Sequence, residues 1–229
     1  MSPYQYVTVT DKHSEQELHR WGPFNKKDLA VLMRPINHTV NWLTQRIDMI
    51  ALSEEDAEAF AQKARIFAIE AHGGQQYGDK PYAFHLDDVA GILHDFGYGP
   101  LMRALGYTHD VGEDTGKTPQ EIEASLSLYV AQGVAILSDE PGENRRERKI
   151  KTYTKMATVE GALLAALIAK LADRYGNIRH SLTNGNKKQL KMYAKEQPAF
   201  AAAVFREGVA EDLQEAITMA LEEAEIVLA

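Results

Sequence analysis

The chain has 229 residues, 45% of them hydrophobic, a formal charge of −8 and no cysteine. That length supports one core, or one domain with an appendage, and the missing cysteines exclude disulfides, thiolate metal sites and thiol nucleophiles. The acidic balance argues against a nucleic-acid polymer as partner, and no run approaches the roughly 18 apolar residues of a membrane span. The opening Met1-Ser2-Pro3-Tyr4-Gln5-Tyr6 lacks the basic and apolar regions of a secretory signal, so a cytoplasmic location is expected.

In residues 1–52, Tyr4-Gln5-Tyr6-Val7-Thr8-Val9-Thr10 alternates and is rich in β-branched and aromatic side chains, which predicts a short strand. Pro23 and Pro35 interrupt the segment. Asn37 to Ile50 fits a short amphipathic helix with Val40, Leu43, Ile47 and Ile50 on one face. The whole reads as a mostly irregular extension that packs on the main domain or on a partner subunit, which leaves a homo-oligomer open.

From Ser53 the pattern becomes helical. Ser53 is an N-cap ahead of Glu54, Glu55 and Asp56. Ala57, Phe60, Ala61, Ala64, Phe67, Ala68 and Ala71 then form one apolar stripe, stopped by Gly73-Gly74 with His72 in the last turn. Gln75 to Tyr82 reads as a loop. His85 to Phe96 is a second helix, and Pro100 opens a third that leads to His109. Thr118-Pro119-Gln120-Glu121 is a strong helix start, and Tyr129 to Leu137 follows. After a loop over Asp139–Asn144 comes a basic stretch of Arg145, Arg146, Arg148, Lys149, Lys151 and Lys155. Glu160 to His180 is the most apolar helix and is expected at the centre. Two or three more are expected, near Lys187–Lys195, Pro198–Arg206 and Val209–Leu228. The class is all-α over 53–229.

The chemistry concentrates in His109-Asp110-Val111-Gly112-Glu113-Asp114-Thr115. One imidazole and three carboxylates at a buried helix end are costly unless paired or joined by a cation. Asp173 and Asn177 share a face of the central helix at i, i+4. Taken singly, each residue has a plain explanation: His72 as an imidazole favoured by a helix C-terminus, His85 as a cap, Glu113-Asp114 as a solvated turn, and Arg145 to Lys155 as a solvated face. Taken together, His72, His109, Asp110 and Asp173 bring two imidazoles and two carboxylates from three helices, a set suited to Mn²⁺, Fe²⁺ or Zn²⁺. Such an ion acidifies water and polarises a phosphoryl oxygen. Glu113 and Asp114 could then move protons, and the arginines and lysines could hold phosphate.

Four motifs occur in one order: Ala71-His72-Gly73-Gly74-Gln75, Pro81-Tyr82-Ala83-Phe84-His85, His109 to Thr115, and Lys170-Leu171-Ala172-Asp173-Arg174-Tyr175-Gly176-Asn177. Over residues 53–183 this resembles the HD-domain hydrolases of the RelA/SpoT type, including the small stand-alone (p)ppGpp hydrolases of the stringent response. The resemblance implies an HD-domain helical bundle with Mn²⁺ (alternatives Fe²⁺, Zn²⁺, Mg²⁺) on His72, His109, Asp110 and Asp173. It implies Glu113 and Asp114 as the catalytic pair, and a nucleotide pocket that includes Tyr82 and Asn177; Lys80, Arg145 and Lys149 are the candidate phosphate ligands. The reaction it implies is removal of the 3′-pyrophosphate of (p)ppGpp or of a related 3′-phosphorylated nucleotide. An HD nucleotidase acting on dNTPs or nucleoside monophosphates and a non-catalytic nucleotide sensor are the alternatives. The chain departs from the pattern after His72-Gly73-Gly74-Gln75, where basic residues are common and Gln76-Tyr77-Gly78-Asp79 stands. It departs again at Leu86, in place of a proline, at Gly112, in place of a larger residue, and at Leu128-Tyr129, where the family often has Phe-Gly.

Overall fold

A computed structural model describes residues 3–228. Helices dominate, as the composition of 53–229 predicts. α2 (Glu54–His72) starts at Ser53, whose Oγ accepts the Asp56 amide at 3.0 Å. Its buried side is Ala57, Ala61, Ala64, Ala68 and His72, and the four alanines let it lie close along α4. α3 (Ala83–Asp95) and α4 (Pro100–Thr108) form a short antiparallel pair. A single turn, α5 (Val111–Asp114), precedes α6 (Pro119–Ser125), which opens on the predicted capping box of Thr118 and Glu121. α7 (Leu128–Leu137) and α8 (Arg145–Ala157) follow; the basic stretch is therefore one helix.

α9 (Leu164–Thr183) is the axis. It packs against α3, α4, α7, α10 (Lys187–Val204) and α11 (Glu211–Leu228), and residues on every side of it are buried, as a helix enclosed by others requires. Leu167 and Ile168 are almost fully enclosed; truncating Leu167 to Ala would cost about 2–5 kcal/mol. One close approach sets the site. A Cβ on Gly176 would lie 2.9 Å from Asp88 Oδ2 and 3.1 Å from Ile92 Cδ1, so glycine lets α9 press on α3 between Asp173 and Asn177.

Two sequence expectations are corrected here. The N-terminal segment is ordered, not mostly irregular: β1 (Tyr4–Asp11) lies between β2 (Glu17–Phe24) and β3 (Gln45–Leu52) in an antiparallel sheet of order β2-β1-β3. α1 (Lys26–Thr39) carries an Asn25/Asp28 capping box and runs through Pro35, because Asp28, Leu32 and Ile36 bury one face. The helix expected over 37–50 does not form. Eight residues of β3 pair in unbroken register with β1, from Tyr4 opposite Leu52 to Asp11 opposite Gln45. Leu43, assigned to the buried face of that helix, is 88% exposed. The second correction is that α10 continues through Pro198 as one helix, held in line by Leu190, Tyr193, Phe200, Ala203 and Val204 on one buried face. The loop after α2 also gains a two-stranded hairpin, β4 (Gln76–Tyr77) with β5 (Lys80–Pro81).

The N-terminal segment joins the bundle through Val7, Phe24, Leu32 and Ile36, which belong to the same buried cluster as Leu101, Leu105 and Leu167. Asp28 Oδ1 accepts the Gly99 amide at 3.1 Å and Asn25 Nδ2 donates to the Gly97 carbonyl at 2.9 Å. These bonds clamp the turn from which α4 starts.

Candidate metal centre and active site

α4 ends at His109, which is 1% exposed. Its Nδ1–H donates to the Gly106 carbonyl at 2.6 Å, which fixes the ring and turns the Nε2 lone pair inward. His85, in the first turn of α3, places Nε2 3.1 Å from His109 Nε2. Asp173 Oδ1 lies 3.4 Å from His85 Nε2 and 3.6 Å from His109 Nε2. Asp110 Oδ2 is 2.9 Å from His109 Nε2 and 3.7 Å from His85 Nε2. Ligands about 2.0–2.2 Å from one ion at near-tetrahedral or octahedral angles stand roughly 3–3.6 Å apart. These spacings fit.

Among the described residues, His85, His109 and Asp173 form a buried group able to hold a metal, with Asp110 adjoining it. His72, one of the ligands expected from the sequence, is not in that group, which contains His85 instead. The His72 ring stacks on Tyr82 with centroids 4.3 Å apart, and Nδ1 meets Gln75 Oε1 at 2.9 Å. Gln75 Nε2 in turn donates to Asp114 Oδ2 at 2.8 Å. His72 thus supports the turn that carries the acidic pair.

Charges converge on the cluster from the chain itself. Lys170, one turn before Asp173 on α9, donates to Asp173 Oδ2 at 2.9 Å, and Asn177 Nδ2 donates to Asp173 Oδ1 at 2.5 Å. Burial alone would raise the Asp173 carboxyl, but the Lys170 charge and then the His109 and His85 hydrogen bonds hold it well below the usual range. Burial likewise opposes the Asp110 carboxylate, and the His109 charge and hydrogen bond override it. His109 is the converse: burial disfavours the imidazolium, yet Asp110 and then Asp173 raise it to about 10. The field at this point favours positive charge, as a cation site must.

Asp110, Asp173 and His85 line a cavity of about 180 Å³. Tyr82 and Asn177 line it too, as the sequence anticipates, and Tyr82 donates its hydroxyl to Asp110 Oδ2 at 2.6 Å. Arg145 and Lys149 reach it from α8. Arg145 grips Glu196 with Nε and Nη2 at 2.8 and 3.1 Å, and Lys149 meets Asp139 at 2.7 Å. Lys80 is not among the lining residues; its ammonium lies 3.7 Å from the centre of the Phe84 ring. Glu113 lines the cavity and accepts the Asp139 amide at 3.1 Å. Burial, then the Asp139 charge, raises its carboxyl. Asp114, held by Gln75, stands outside the lining.

The cavity also uses Tyr77, Tyr153, Lys170, Arg174, Tyr193 and Phe200, which the sequence reading did not select. Lys170 carried a signal, since it stands three residues before Asp173. Tyr193 and Phe200 carried none, because a seven-residue spacing on a helix is ordinary core periodicity. The lining has four cations, Arg145, Lys149, Lys170 and Arg174, against the carboxylates of Asp110, Glu113 and Asp173. A divalent ion enlarges that excess, which suits a polyanion.

No protein-family model matches the chain. It is 30% identical over 151 residues to a probable guanosine-3′,5′-bis(diphosphate) 3′-pyrophosphohydrolase of Synechocystis, covering 64% of this chain and 20% of that one. It is 34% identical over 131 residues to the bifunctional (p)ppGpp synthase/hydrolase SpoT of Escherichia coli, covering 55% and 18%. The chain thus spans about a fifth of the length of the curated relatives it matches. A solved structure described as a metazoan ortholog of SpoT that hydrolyzes ppGpp superposes with a TM-score of 0.58 at 20% identity, over 75% of this chain and 97% of that one. In its ordered sequence motifs and its fold, the chain resembles the HD-type hydrolases of the RelA/SpoT kind.

Proposed function

We propose that the chain is a metal-dependent nucleotide phosphohydrolase that removes the 3′-pyrophosphate of (p)ppGpp or of a related 3′-phosphorylated nucleotide. The observation that carries this is the convergence of His85, His109, Asp110 and Asp173 at the end of a cavity rich in cations. The relatives named for this reaction support it.

His85, His109, Asp110 and Asp173 would hold Mn²⁺, with Fe²⁺, Zn²⁺ and Mg²⁺ as alternatives. When bound, a divalent ion acidifies a water and offsets charge on a phosphoryl oxygen. Glu113, whose carboxyl burial raises, would take a proton from the attacking water. The water oxygen bonds to the phosphorus attached at the 3′ position. The bond from that phosphorus to the 3′ oxygen breaks, the oxygen leaves with a proton, and pyrophosphate is released. Glu113 and Asp114 form the acidic pair for these transfers. Arg145, Lys149 and Arg174 hold the non-reacting phosphates, and Tyr82 and Asn177 keep Asp110 and Asp173 in place. We assign residues 53–229 to the catalytic unit and 1–52 to an extension that braces the start of α4. We place the reaction in the cytoplasm.

The test is a nucleotide panel assayed for phosphate and pyrophosphate with and without Mn²⁺. Pyrophosphate from ppGpp, dependent on metal, is the expected result. Phosphate from dNTPs or nucleoside monophosphates alone would make it a nucleotidase, and tight ppGpp binding without turnover would make it a sensor.

A further inference from the structure

The hairpin after α2 places one side chain against both halves of the metal cluster. Tyr77, on β4, lies face to face with His85, with ring centroids 4.6 Å apart and planes 9° from parallel. Its hydroxyl donates to Asn177 Oδ1 at 2.8 Å. Asn177 Nδ2 passes the constraint on, donating to Asp173 Oδ1 at 2.5 Å and to the Asp173 carbonyl at 3.0 Å. One tyrosine therefore limits the tilt of an imidazole on α3 and, through an amide, the rotation of a carboxylate on α9. On α9, Lys170 and Asn177 already hold Asp173; the hairpin adds the stack on His85 and fixes the Asn177 amide. His85 and Asp173 are brought close by α3 and α9, but each side chain retains torsional freedom that a metal site must suppress.

We propose that Tyr77 is a positioning residue for the metal centre, acting through ring stacking on His85 and through the hydroxyl relay to Asn177 and Asp173. The inference rests on the reading of that cluster as a divalent-metal site. Two further contacts seat the ring from outside: His180, tilted against it at 4.9 Å, and Tyr82, edge-on at 6.2 Å. The hairpin itself adds only two paired residues per strand, and the half-buried ring packs at the edge of the core rather than inside it.

Metal-stripped wild type, Tyr77→Phe and Tyr77→Leu are titrated with Mn²⁺ by calorimetry, and with Co²⁺ by its visible absorption. Tyr77→Phe keeps the stack and loses the relay; Mn²⁺ affinity should fall about tenfold, the lower end of the effect of groups that orient metal ligands. Tyr77→Leu loses both and should fall about a hundredfold, with an altered Co²⁺ spectrum as the His85 ring reorients. Circular dichroism and melting temperature should match wild type in both. Wild-type affinity and spectrum in both variants would overturn the proposal. Failure of wild type itself to bind Mn²⁺ or Co²⁺ would instead remove the metal-centre reading beneath it.

Discussion

The two ends of the cavity are built on different physics. At one end, His85, His109, Asp110 and Asp173 are largely enclosed by helices, and their charges are fixed by one another and by Lys170. At the other, Arg145 and Lys149 reach in from α8, each on an acidic partner of its own, Glu196 and Asp139. A buried charge without its partner is penalised by several kcal/mol, whereas a partly exposed pair contributes about 1 kcal/mol or less. The buried end is therefore rigid and intolerant of change. At α8 the partly exposed Arg145–Glu196 pair can exchange its carboxylate for a phosphate at small cost, whereas Lys149–Asp139 is nearly as enclosed as the metal cluster.

The largest effect should come from breaking the buried end. Asp110→Ala should lose bound metal and turnover together, with activity down about a thousandfold or more; metal content by atomic spectroscopy beside a pyrophosphate assay checks it, and full turnover in a metal-free preparation would contradict it. Asp173→Ala adds a stability cost of about 3–5 kcal/mol, because buried Lys170 loses its carboxylate; chemical denaturation measures it.

Next in size is Glu113→Gln, which should keep the metal and lower kcat about a hundredfold to a thousandfold. Equal loss of metal would place Glu113 at the ion instead. At the other end, Arg145→Ala and Lys149→Ala should each raise KM about tenfold with kcat within threefold, and the wild-type KM should rise with salt. A fall in kcat alone would show that α8 acts on the reacting phosphorus.

One further effect, on stability rather than turnover, lies outside the cavity, in the clamp on α4. Burial raises the Asp28 carboxyl to about 6 from its ordinary 3.8, so the folded chain binds this proton more tightly than the unfolded one. The contribution to stability is complete below about pH 4 and is lost as the pH rises through 6, about 3 kcal/mol at most. Denaturation of wild type and Asp28→Asn between pH 4 and 7.5 should show the gap moving in the variant's favour as the pH rises. A constant gap would mean that Asp28 stays ionised throughout.

Much of the buried end was legible in the sequence because its signals are local. His109-Asp110 is adjacent, and Asp173 shares a helix face with Lys170 and Asn177. The choice between His72 and His85 as a ligand is hard to make from sequence for a physical reason. Both histidines flank the same Gly-rich segment at helix ends, and periodicity does not say which way an Nε2 points. Only the hairpin, folding back to stack Tyr82 on His72 and Tyr77 on His85, separates them. Gly112, without a role in the sequence, gains one: a Cβ there would meet Ser138 Oγ at 2.6 Å and Val134 Cγ1 at 3.0 Å, so the turn carrying Glu113 can press on α7. The α8 wall was half visible, since a basic run reads equally as a solvated face. β3 was misread because its apolar spacing also satisfies a helix, and only pairing with β1 decides it.

Titration of the metal-stripped protein with Mn²⁺, run on wild type, His85→Ala and His72→Ala, tests the centre most directly. One ion per wild-type chain, affinity lost about a hundredfold or more in His85→Ala and kept within a few-fold in His72→Ala, is the predicted result. Binding abolished by His72→Ala and unchanged by His85→Ala would contradict it.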